Sequence, residues 1–145
     1  MNTKSFKLQR SELQANSPRY ELIENETLTN CKYNGLVLSG SLLKNCDFEH
    51  AVFENCTFFG CKLQGINFKG CQFTSCKFLF TQIQENQFMA CTFEDNFFDS
   101  SPADQCSLTY CQLDTKCLNQ FSQNESNTFG QCFGQNLNLQ VQEDK

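Results

Sequence analysis

Stepping along the chain by five from Leu28 meets only apolar residues: Leu28, Tyr33, Leu38, Leu43, Phe48, Phe53, Phe58, Leu63, Phe68, Phe73, Phe78, Ile83, Phe88, Phe93, Phe98, Ala103, Leu108, Leu113 and Leu118. The chain is 39% hydrophobic. An unbroken series of that length then arises by chance with a probability on the order of 10⁻⁷, so the period is structural. Two residues before these positions runs a second series, from Cys31, Leu36, Ser41 and Cys46 to Cys106 and Cys111, in which small residues dominate. Neither regular element carries a period of five. A helix rotates by about 140° over five residues, and a continuous strand changes face at every odd step. The chain must therefore turn once per repeat. The two inward residues lie two apart, as in a short extended segment. The following two positions are rich in corner formers: Asn34-Gly35, Ser39-Gly40, Lys44-Asn45, Glu54-Asn55, Gln64-Gly65 and Lys69-Gly70.

Repeats such as C-D-F-E-H from Cys46 and C-Q-F-T-S from Cys71 place a small residue and then Phe at the inward positions. Over about Leu28 to Leu118 the sequence resembles the pentapeptide-repeat family. That resemblance implies an all-β fold, a right-handed quadrilateral β-helix in which four pentapeptides make one square coil. Residues twenty apart then stack as rungs about 4.8 Å from each other, and the tube has four to five coils. Solenoid ends need capping, and the motif fades at both ends. The expected organisation is one domain over 1–145, with an N-terminal cap at 1–25, repeats at 26–118 and a C-terminal cap at 119–145. Leu8, Leu13 and Ile23 keep the repeat phase while Pro18 interrupts it, which suggests an irregular capping coil. Leu137, Leu139 and Val141 alternate with polar residues after Gly130 to Gly134, the pattern of a half-buried strand.

Bulk properties narrow the setting. The length of 145 residues suits one domain. A net charge of −5 argues against direct binding to nucleic acid or to anionic membranes. Met1 to Gln14 has no apolar core of signal-peptide length, and nothing approaches a membrane span. The expected location is the cytoplasm of a bacterium. Eleven cysteines would suit a disulfide scaffold, but nine of them occupy the small inward position, where a free cysteine acts as a small buried hydrophobe.

The same register disposes of the candidate chemistry. Cys71, Cys91 and Cys111 are expected in one column, without the converging ligands that zinc requires. His50 lies between Cys46 and Cys56, but at an outward corner while both cysteines point inward, so no nucleophile pair forms. Asn86 and Asn96 take the small inward position and must find hydrogen-bond partners there. The expectation is no catalytic residue, no metal site, no cofactor and no enzyme.

Function then falls to the outer surface. Val37, Phe59, Leu79, Phe80 and Phe97 project from the face built around Leu38, Phe58, Phe78 and Phe98, and Phe59 and Leu79 are twenty apart. A contiguous apolar cluster of that kind marks a protein contact, whether with a partner or in a homodimer. From Thr81 to Thr115 there is no Lys or Arg. Glu54, Glu94, Asp95 and Asp114 share the face around Phe53, Phe73, Phe93 and Leu113. The first expectation is a non-catalytic protein-binding module using the apolar face. The alternative comes from the resemblance: quinolone-resistance proteins of this family carry acidic rod surfaces that mimic DNA and bind DNA gyrase or topoisomerase IV. It would make the acidic face a site for a type II topoisomerase.

Overall fold

Each pentapeptide from Glu21 to Tyr110 repeats one local conformation, a short extended segment followed by a corner residue with positive φ. The computed structural model of the chain describes residues 21–134. The corner residues, every fifth position from Asn25 to Tyr110, have φ between 50° and 77°. Half of them are Gly or Asn, the residues that enter this region with least strain. Gly70 has a second reason to be glycine. A Cβ there would come within 2.7 Å of His50 Nδ1, because the side chain of one corner leans over the corner of the next coil.

The corners fold the chain into four parallel sheets, numbered here in chain order. Face 1 holds β1 (Leu22–Glu24), β5 (Leu42–Lys44), β9 (Lys62–Gln64), β13 (Gln82–Gln84) and β17 (Ala103–Asp104). Face 2 holds β2 (Thr27–Thr29), β6 (Asp47–Glu49), β10 (Asn67–Lys69), β14 (Gln87–Met89), β18 (Ser107–Thr109) and β19 (Thr128–Gly130). Face 3 holds β3 (Lys32–Asn34), β7 (Val52–Glu54), β11 (Gln72–Thr74) and β15 (Thr92–Glu94), and face 4 holds β4 (Val37–Ser39), β8 (Thr57–Phe59), β12 (Lys77–Leu79) and β16 (Phe97–Asp99). The register is twenty residues, as in Phe53↔Phe73 and Phe73↔Phe93. The chain turns once per repeat, as the five-residue period requires, and the four stacked faces make the β-solenoid that the pentapeptide-repeat resemblance implies.

The tube interior is an aromatic stack. Rings of Phe53, Phe73 and Phe93 follow one another at 4.9 and 5.1 Å, nearly parallel, and Phe58, Phe78 and Phe98 at 4.9 Å. Between faces the contacts turn edge-on, as in Phe68 against Phe73 at 5.2 Å and 76°. Strand spacing thus coincides with a favourable ring separation.

The small inward position does more than fill space. Most residues there, Leu36, Ala51 and Ile66 being exceptions, offer a donor to the carbonyl twenty-three residues earlier: Cys71 Sγ to Phe48 at 3.4 Å, Cys76 Sγ to Phe53 at 3.3 Å, Thr81 Oγ1 to Phe58 at 2.9 Å and Ser101 Oγ to Phe78 at 2.8 Å. Asn86 and Asn96 bond in both directions. Their Nδ2 groups donate to Leu63 and Phe73 carbonyls at 3.2 and 3.0 Å, and their Oδ1 atoms accept from the Ile66 and Cys76 N–H groups at 2.8 Å.

The two ends of the regular repeats are built differently. The repeat register already holds at β1, inside the stretch 1–25 expected as a cap, where Ile23 is buried and pairs with Leu43. At the other end the phase gives way to helix α1 (Thr115–Ser122), so Leu118 lies in a helix and not in a strand. Asp114 caps this helix, accepting from the Cys117 N–H at 3.0 Å, and Cys117 and Phe121, four apart, bury one helical side. Phe121 closes the tube against Phe88, Phe93 and Phe98. Asn127 then ties the helix down, its Nδ2 donating to the Ala103 and Phe121 carbonyls at 2.9 Å. Leu8, Leu13 and Pro18, like Leu137, Leu139 and Val141, lie outside the described residues.

Two stability predictions follow from this packing. Phe73→Ala should cost about 3–5 kcal/mol as a large-to-small core change, and Phe59→Ala, on the outside, within about 1 kcal/mol. Equal losses on urea denaturation would overturn the assignment of inside and outside. Asn96→Leu should cost about 1–3 kcal/mol by orphaning a buried donor and acceptor, and Asn96→Ser clearly less, since Ser101 fills the same two roles with a hydroxyl.

Candidate functional site

The interior has little to offer as a reactive site. Apart from the half-buried Cys31, the cysteines of the inward column are buried, and none is in a disulfide, while His50 stands exposed at a corner with φ 56°. Cys46 and Cys56 therefore point away from it. Among the described residues no group of three or more His, Cys, Asp and Glu is arranged to hold a metal ion, and no helix is long and apolar enough to cross a membrane. Burial holds the thiols of Cys46, Cys61 and Cys117 above their ordinary range and pushes Cys106 up to about 11.

On the outside, the structure brings three of the five apolar candidates together. Leu79 pairs with Phe59 on the neighbouring rung, and Phe80 follows Leu79 onto the corner between faces 4 and 1. The rings of Phe59 and Phe80 meet edge to face at 5.7 Å and 82°. Phe59 is 46% exposed and Phe80 57%. Val37 and Phe97 do not belong to the same row. Val37 pairs with Thr57 and Phe97 with Lys77, in the other outward column of face 4, so Thr57 and Lys77 stand between them. Residues fall in one column only when they share a position within the pentapeptide, and Val37 and Phe97 sit before the inward Leu38 and Phe98, whereas Phe59 and Leu79 sit after Phe58 and Phe78. Phe97, 51% exposed, instead stands at the lip of a cleft of about 310 Å³ between β16 and α1.

Phe80 occupies a left-handed corner, φ 50°, which a bulky side chain adopts at a cost of about 1–2 kcal/mol. The diagonally opposite corner repeats the arrangement with Met89 and Tyr110, again twenty-one residues apart, both exposed, with Tyr110 at φ 56°. Sequence reasoning passed over this pair. The signal that finds it is the spacing of twenty-one between an outward residue and the next corner.

The four acids of face 3 divide. Glu54 and Glu94 share one column with Thr74 between them. Asp114 is engaged in capping α1, and its second oxygen accepts from the Asp95 N–H at 2.6 Å. Asp95 in turn receives Lys116 Nζ at 2.7 Å, which raises the lysine pKa through that hydrogen bond and charge. The cation just beyond the Lys-free stretch thus folds back onto its acids.

The comparisons with known proteins agree with the repeat architecture. The family model described as Pentapeptide repeats, eight copies, matches residues 27–58 and 53–85. No curated protein matches the sequence. Among solved structures, a pentapeptide repeat protein (Rfr23) from the cyanobacterium Cyanothece 51142 is 10% identical, with 79% of this chain and 84% of that chain covered and a TM-score of 0.45. A trypsin-treated form of QnrB1, a plasmid-mediated fluoroquinolone resistance protein, is 14% identical over 80% of this chain and 83% of that one, with a TM-score of 0.24. Full-length QnrB1 is 15% identical over 80% and 85%, with a TM-score of 0.21. At these scores the structural likenesses carry no argument of their own.

The buried thiols give a prediction with a defined sign. A thiol whose folded pKa exceeds its unfolded value near 9 contributes stability that is complete below that pH and is lost as pH rises through the folded value. The melting temperature should therefore fall between pH 9 and 11. Cys106→Ser keeps a donor but removes the titration, and should abolish about 2–3 kcal/mol of the alkaline loss. An unchanged pH profile in this variant would show that Cys106 is not shifted.

Proposed function

This chain is a pentapeptide-repeat protein, and from that premise we propose that it is a non-catalytic protein-binding rod of the bacterial cytosol. Its contact surface is the aromatic corner of Phe59, Leu79 and Phe80, with Phe97 and Val37 on the flank of the same face. The observation that carries the reading is Phe80. A phenylalanine is held there in a left-handed conformation and more than half exposed, packed only edge-on against another exposed ring. The left-handed backbone is the one every corner of the coil takes, but the exposed ring it turns outward disfavours the free protein and is relieved when a partner covers it. Nothing in the tube needs Phe80, since the core is complete without it.

The alternative, a DNA mimic that protects or inhibits a type II topoisomerase, rests on family resemblance and on the column of Glu54 and Glu94. It has less behind it than the charge pattern suggests, because Asp114 serves as a helix cap and Asp95 is paired with Lys116.

Phe59→Glu combined with Leu79→Glu separates these readings. The double variant should lose association or partner capture, measured by light scattering and pull-down, while its melting temperature stays within about 2 °C of the parent, as expected for surface changes. A wild-type protein that neither self-associates nor captures any partner lost by the variant would remove the reading. Inhibition of gyrase supercoiling, or protection from a fluoroquinolone, that the double variant retains would favour the acidic face.

A further inference from the structure

Faces 1, 2 and 3 all continue past the fourth coil, through Ala103–Asp104, Ser107–Thr109 and Gln112. Face 4 does not. Where its next rung would fall, one coil later around residues 117–119, the chain is instead in α1, so β16 is an edge strand with its next rung missing. On the neighbouring faces the equivalent amides are bonded: Phe93 N–H to the Gln112 carbonyl at 3.0 Å and Ala90 N–H to the Thr109 carbonyl at 2.8 Å. Their counterparts, the N–H groups of Phe98 and Ser100, meet no hydrogen-bond acceptor among the described residues. The neighbouring Ser101 carbonyl shows what such a position takes when a strand is missing. On an earlier coil its equivalent, the Cys61 carbonyl, accepts from the Gln82 N–H, whereas Ser101 accepts from the side-chain amide of Gln120 at 2.6 Å.

Between this edge and α1 lies the cleft of about 310 Å³, with Phe97 and Phe98 on one wall and Lys116, Asn119, Gln120 and Gln123 on the other. We propose that this cleft binds a short extended peptide of a partner protein, which joins face 4 as its fifth strand by bonding to Phe98 and Ser100 and packs an apolar side chain on Phe97. The inference rests on the protein-binding reading above and names how the partner is held. Strand addition is the mode that unpaired edge amides serve, with the backbone giving affinity and side-chain positions giving selectivity. The areas favour a peptide over a second folded copy. Three half-exposed phenylalanines present roughly 300 Å² of apolar surface, against about 800 Å² per partner for a stable interface. A strand supplies the remainder through its main chain. The carboxamides of Asn119, Gln120 and Gln123 both donate and accept, so the opposite wall suits a polar residue on the alternate side of the peptide.

The test uses the full chain and a phage-displayed library of random twelve-residue peptides as the probe. Enriched peptides, synthesised and labelled, should bind by fluorescence polarisation and slow hydrogen exchange at the Phe98 and Ser100 amides. Phe97→Ser should weaken them by about tenfold or more, the scale of one interface anchor, and N-methylation at alternate peptide amides should do the same. No enrichment, binding without protection of those two amides, or indifference to N-methylation would overturn the proposal. The two readings fail separately. Peptides lost with Phe59→Glu but not with Phe97→Ser would leave the aromatic corner standing and remove strand addition. Protection at β16 alongside an indifferent corner variant would do the reverse.

Discussion

The tube depends on a bond between coils that is not part of the ordinary strand ladder. Beside the ladder between three-residue strands, the carbonyl of the central inward residue on most rungs takes a further bond inside the tube, where water does not reach it. The residue that follows on the next coil supplies the donor: thiol, hydroxyl or carboxamide, reaching back twenty-three residues. The position must therefore be small and must usually donate. Cysteine meets both demands while adding little polarity, which accounts for its abundance in a protein without disulfides among the described residues.

With the strand ladder setting the spacing between coils, the aromatic stacks follow, and the rest is a matter of ends. In a solenoid each coil meets only its neighbours, so the terminal coils carry the exposed risk. At the C-terminal end the solution is a helix whose Phe121 covers three rings and whose cap, Asp114, comes from the last regular repeat. Asn127 then re-enters the inward column and repeats the two-way bonding of Asn86 and Asn96. At the other end Tyr33 takes a core position where Phe stands on later coils, and its hydroxyl is buried without a hydrogen-bond partner. Burial pushes that phenol far above its usual range.

Closing one end with a helix has a consequence on the surface. The helix replaces a rung on face 4 alone, and so leaves β16 as an open edge beside an exposed phenylalanine, on the face that also carries the Phe59–Phe80 corner. The acidic face loses independence for the same reason, because the helix brings Lys116 to Asp95 and claims Asp114 as its cap. One element thus shapes both candidate surfaces.

The repeat was legible because its signal is a period: an apolar residue every five positions from Leu28, with small residues two earlier, requires one turn per repeat, and the resemblance to the pentapeptide-repeat family implied the square right-handed coil. The register also placed Phe59 beside Leu79 and sent His50 outward, since both follow from counting. Counting could not show that Asn86 and Asn96 bridge coils, because a donor's target lies twenty-three residues away and not on its own rung. Position within the pentapeptide also separates Val37 and Phe97 from the Phe59 column, but counting could not detect that Leu118 keeps the phase while leaving the strands. The helix buries Cys117 and Phe121, which are out of the repeat phase, in place of the in-phase Lys116 and Leu118, and the packing of Phe121 against Phe88, Phe93 and Phe98 fixes it there. Local periodicity determined the coil; contacts between distant residues decided where it stops, and with it which edge and which charges remain open.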